Sequence, residues 1–83
     1  MDASSISSIL GGFTTGAVGP ALSLGGEALK IWNHYLEADP VKDAKKRREY
    51  LRKLIDLTKE VMDAAPGMDV SDLVAAFTEL LNQ

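Results

Sequence analysis

Residues 39–65, DPVKDAKKRREYLRKLIDLTKEVMDAA, constrain the fold of this chain more than any other stretch. Two apolar rows run along it. One is Tyr50, Leu54, Leu57, Val61 and Ala64; the other is Leu51, Ile55, Thr58, Met62 and Ala65. Both rows step by four and three, so they lie side by side as one broad stripe on a helix. Asp39 is an N-cap residue with Pro40 at the first helical position, and Pro66-Gly67 supplies the stop. About 25 residues of helix extend roughly 37 Å. A stripe this wide is stable only when covered. An 83-residue chain without cysteine has a marginal core and no disulfide to reinforce it. Part of the cover is therefore expected from neighbouring molecules. Tyr50, Leu51, Leu54, Ile55, Val61 and, on the last helix, Phe77 are the candidate protein-interaction residues, and a homo-oligomer is expected.

Two further helices are expected to pack on the long one. The first covers about residues 21–38, with Trp32, Tyr35 and Leu36 turned towards the long helix. The short Glu37-Ala38-Asp39-Pro40 junction makes these two an antiparallel hairpin. The last helix covers about 70–82, with Asp69 as cap, Asp72 at N3 and Met68 stapled onto Leu73. Val70, Leu73, Val74, Phe77, Leu80 and Leu81 follow helical spacing along it. The expected fold is all-α: a small three-helix bundle over 27–83, with helices at about 21–38, 40–65 and 70–82. An uncharged Gly/Ser-rich arm over 1–26, flexible or ordered by a partner, precedes it.

Residues 3–26 carry no charge, and 24 residues would reach across a bilayer. Only ten of them are apolar, and Pro20 interrupts a continuous helix. The stretch also lacks the basic n-region of a signal peptide. Ile6, Ile9, Leu10 and Phe13 are spaced for a short amphipathic helix. Ile9, Leu10, Phe13 and Val18 are therefore the candidate contacts to a partner or a membrane interface. Gly12 and Gly16 have small-xxx-small spacing, which a glycine-rich segment also produces by chance.

Enzyme signatures are scarce. His34 is the only imidazole, in a Trp-Asn-His-Tyr context that suits a surface or half-buried helix position. No His/Cys ligand set, Walker loop or strand-leading glycine fingerprint is present, so no metal, cofactor or catalytic residue is expected. Charge is unevenly placed: all nine Lys and Arg fall between Lys30 and Lys59, and five acids with no base follow from Glu60. Lys45, Lys46, Arg47, Arg48, Arg52 and Lys53 are the candidate contacts to phosphate, in lipid headgroups or nucleic acid. Consecutive helical residues point in different directions, however, and Asp43, Glu49 and Asp56 dilute the field. Nucleic acid thus ranks behind protein as a partner, and a solvated face is the default reading.

The segment Ser-Ser-Ile-Leu-Gly-Gly-Phe-Thr-Thr-Gly-Ala-Val-Gly-Pro-Ala, followed by charged amphipathic helices, resembles in layout the small minor virion and DNA-ejection (pilot) proteins of bacteriophages. The resemblance covers roughly residues 4–30 and is compositional. It implies a non-enzymatic virion component in many copies, docked to a larger assembly and associated with host membrane during genome delivery. Two other functions are weighed beside it. One is a cytoplasmic nucleic-acid-binding regulator using the basic 42–53 segment; the other is a membrane-active holin-like or bacteriocin-like protein.

Overall fold

The computed structural model describes the backbone of residues 3–16, 20–64 and 70–83, with side chains within 3–12, 24–64 and 70–83. The described residues form four helices: α1 (Ala3–Gly16), α2 (Pro20–Glu37), α3 (Ala44–Ala64) and α4 (Ser71–Leu81). α2 packs against both α1 and α3, and α3 packs against α4. His34 lies against Tyr50, and Arg47 lies over Tyr35, so α2 and α3 run antiparallel. Leu80, Leu81 and Gln83 share a recess with Ala44, Arg47 and Leu51, which sets α4 antiparallel to α3 as well.

The stripe on α3 lands where its periodicity places it. Leu51, Leu54, Thr58 and Val61 are buried, while Tyr50, Ile55, Leu57 and Met62 are partly buried beside the core. Thr58 satisfies its hydroxyl locally by donating to the carbonyl of Leu54 at 2.6 Å. The cover comes from the chain's own helices. Ala28, Trp32 and Tyr35 of α2 and Leu73, Ala76 and Phe77 of α4 share one core with Leu51 and Leu54.

The N-terminal segment differs from the arm expected of it. Residues 3–16 are helical, and Ile6 and Leu10, one turn apart, are buried in the same core as Trp32 and Phe77. Fully burying two such side chains stabilises by about 3–6 kcal/mol. Two interior helical glycines, here Gly11 and Gly12, cost about 2 kcal/mol relative to alanine. Burial outweighs that penalty. Among the described residues, a side chain at Gly12 would meet nothing within 4 Å.

Trp32 ties the layers together. Its indole N–H donates to Ser7 Oγ on α1 at 2.9 Å. Its ring stacks on Tyr35 at 5.0 Å and meets Phe77 of α4 at 5.7 Å. The polar end of a large apolar side chain thereby finds its partner on one helix while the rings pack on another. Leu36, expected beside Trp32 and Tyr35 against the long helix, is instead 46% exposed. Its position is one step round the helix from Tyr35, beyond the reach of α3.

Helix starts also differ in detail. Asp39 Oδ1 accepts the backbone N–H groups of Val41 and Lys42, each at 2.8 Å, and Asp43 Oδ2 accepts the N–H of Asp39 at 3.2 Å. This reciprocal capping closes one separate turn over 40–43, and continuous helix begins at Ala44. At α4 the N-cap is Val70, with no side-chain capping bond, so Asp72 occupies N2 instead of N3. The expected cap Asp69 and staple Met68 lie outside the described residues, as does Val18.

Candidate functional site

The residues singled out from sequence separate into three places. Leu51, Leu54, Val61 and Phe77 are at most 2% exposed and are taken up by the chain's own core. Tyr50 and Ile55 are half-buried at its edge. Leu10 is buried and Ile9 half-buried on α1, while the side chain of Phe13 is not among those described. Lys45, Lys46, Arg48, Arg52 and Lys53 are exposed. The outward face of α3 is therefore basic near its start.

Arg47 stands apart from that basic run. Counting back from Leu51 by four places it on the line of Leu51, Leu54, Thr58 and Val61, so helix geometry turns it towards the core. Its guanidinium lies over the Tyr35 ring, 4.3 Å from the centroid. That arrangement contributes about 0.5–1 kcal/mol by cation–π attraction. Its Nε is buried with no hydrogen-bond partner. An unsatisfied buried donor costs about 1–3 kcal/mol. An unbranched apolar side chain would suit this position better on stability grounds.

Beside Arg47 is a recess of about 170 Å³ lined by Tyr35, Pro40, Ala44, Arg47, Arg48, Leu51, Leu80, Leu81 and Gln83. Its walls come from the end of α2, the turn, the first half of α3 and the end of α4. None of its described lining residues is acidic. Two exposed large apolar side chains, Leu36 and Val41, are chain neighbours of the lining residues Tyr35 and Pro40. Val41 is 85% exposed. The carboxyl of the nearby Asp39 is held below its ordinary range, chiefly by the N–H of Lys42, then by that of Val41, with a smaller contribution from the Arg47 charge. That carboxylate is therefore engaged by the backbone at the rim.

A second groove, about 400 Å³, lies between α2 and α3 and is lined by Glu27, Lys30, Ile31, His34, Lys53, Asp56 and Leu57. Its two acids and two bases balance, so it presents no net sign to a ligand. His34 stacks on Tyr50 with ring centroids 6.0 Å apart. Among the described residues no group of three or more His, Asp or Glu is placed to hold a metal ion. Among them, too, no helix is long and apolar enough to cross a membrane.

As a run of charges in the sequence, Arg47 groups with the exposed cations. The signal that separates it, the step from 47 to 51 to 54, was present in the same residues. The recess itself required α4 to return to the start of α3, and no local pattern encodes that. No protein-family model matches the chain, and neither curated proteins nor solved structures contain a significant match to it.

Proposed function

We propose that this chain is a non-enzymatic interaction module that docks in several copies onto a larger assembly through the corner between α2 and α3. The observation that carries this reading is the exposed apolar pair Leu36 and Val41, at the end of α2 and in the turn before α3. An isolated exposed leucine is ordinary. Two exposed apolar residues at the end of one helix and in the turn after it have the make-up of a small contact surface. Charge segregation supports contact between copies, because the basic residues end at Lys59 while Glu60, Asp63, Asp72 and Glu79 lie beyond it. The most concrete form of the proposal is a minor component of a phage virion, drawn from the layout of residues 4–30.

The test is mass by light scattering as concentration rises. The wild type is expected above the 8.9 kDa monomer mass, and the double variant Leu36→Ser, Val41→Ser at the monomer mass. A wild type that stays monomeric throughout contradicts self-association. A second reading, a nucleic-acid-binding regulator, is favoured by the exposure of Lys45, Lys46, Arg48, Arg52 and Lys53. It requires duplex binding that weakens steeply with salt. A membrane-active reading would require α1 to leave the core and release Ile6 and Leu10. Flotation of the chain with anionic vesicles, lost on deletion of residues 3–16, would favour it.

A further inference from the structure

We propose that the recess between α3 and the end of α4 is a binding site for one phosphate dianion, either inorganic phosphate or a terminal phosphate monoester. Three observations converge on it. Arg47 and Arg48 both line the recess, and none of its described lining residues is acidic. Contact with the Tyr35 ring restrains the Arg47 guanidinium before any ligand arrives, so less side-chain entropy remains to be lost. Leu51, Leu80 and Leu81 are also among the lining residues, and apolar neighbours strengthen ionic hydrogen bonds made beside them.

Arg47 also occupies a core-line position where its buried Nε finds no acceptor, although an apolar residue would fit. Local rules broken at a stability cost are expected where a residue serves function. Since Nε itself is covered, the terminal amino groups of Arg47 and those of Arg48 are the donors offered to the ligand. Charge and size then choose among oxyanions. Two guanidinium groups match a phosphate monoester, which carries about −1.5 to −2 at neutral pH, better than a singly charged carboxylate. A volume of about 170 Å³ exceeds the roughly 30 Å³ share of one water several-fold. It falls below the roughly 300 Å³ from which pockets for whole drug-sized ligands begin. The recess is half open, so a phosphoryl group fits in it and whatever it is attached to stays in solvent.

The site does not depend on self-association, and the two proposals fail separately, because phosphate binding is read at concentrations where mass is measured in parallel.

The experiment is calorimetric titration of the full chain with inorganic phosphate and with phosphoserine, at low and constant ionic strength, with acetate as the singly charged control. One site is expected, with phosphate and phosphoserine at least tenfold tighter than acetate. Arg47→Met and Arg48→Gln are each expected to weaken phosphate tenfold or more. Lys59→Gln, an equal charge change at an exposed position further along α3, leaves it within twofold. Arg47→Met is also expected to melt no lower than wild type, which a purely structural arginine would not allow. If Arg47→Met fails to fold, Arg48→Gln against Lys59→Gln decides alone. Phosphate no tighter than acetate, or equal losses from Arg48→Gln and Lys59→Gln, overturns the site. So does binding of unphosphorylated duplex DNA together with no binding of phosphoserine.

Discussion

Trp32 and Arg47 show how much of this molecule rests on single side chains. Trp32 joins α1 through Ser7, α2 through Tyr35 and α4 through Phe77. Trp32→Ala is expected to cost about 3–5 kcal/mol, a large share of what a chain of this size has. Chemical denaturation measures it. Ser7→Ala leaves the indole N–H of Trp32 short of its acceptor and is expected to cost about 1–2 kcal/mol. That loss disappears in a Trp32→Phe background if the hydrogen bond is its cause, which a double-mutant cycle reads directly. Arg47 works in the opposite direction. Arg47→Met removes a buried unsatisfied donor and a ring contact of smaller value, so the melting temperature is expected to hold or rise by a few degrees. A fall would show that the arginine is a stabilising residue.

At the scale of elements, α2, α3 and α4 were legible because each carries apolar residues at three- and four-residue steps over several turns. α1 was legible only in part. The spacing of Ile6, Ile9 and Leu10 marks a helix, but nothing local says whether its apolar side meets the same chain or another molecule. That is decided by Trp32, 25 positions on from Ser7. Among the described residues, a side chain at Gly11, Gly12 or Gly26 would meet nothing within 4 Å, and all three glycines are in helices. Each Gly→Ala change is expected to stabilise by about 0.5–1 kcal/mol, read as a rise in melting temperature. A fall in melting temperature at any of the three would contradict this. The capped turn before α3 has its own pH signature. The Asp39 carboxyl sits below its ordinary range, so its contribution is complete above that range and lost as pH falls through the lowered value. Asp39→Ala should therefore melt below wild type near neutral pH, and the two curves should converge in acid, below the ordinary carboxylate range.

For the whole molecule, the described core is continuous from α1 to α4, and the radius of gyration of 12.1 Å matches the roughly 12 Å expected of a compact domain this long. The broad stripe on α3 led to an expectation that neighbours must help to cover it. Instead, the chain's own helices bury Leu51, Leu54, Thr58 and Val61, and large apolar exposure among the described residues falls on Leu36 and Val41. The exposed apolar pair thus lies at the end of α2 and in the turn before α3, next in sequence to two of the residues that line the recess. The recess was only half legible: Arg47 and Arg48 stand together in the chain, but Leu80, Leu81 and Gln83 join them only through tertiary packing. The claim beneath all of this is that α1 belongs to the same cooperative body as the other helices. Native-state hydrogen exchange tests it most directly. The amides of Leu10 on α1 and Leu54 on α3 are expected to be protected to a similar free energy, since both side chains are 0% exposed in one core. Exchange of the Leu10 amide near the unprotected rate, while that of Leu54 stays slow, would contradict the account.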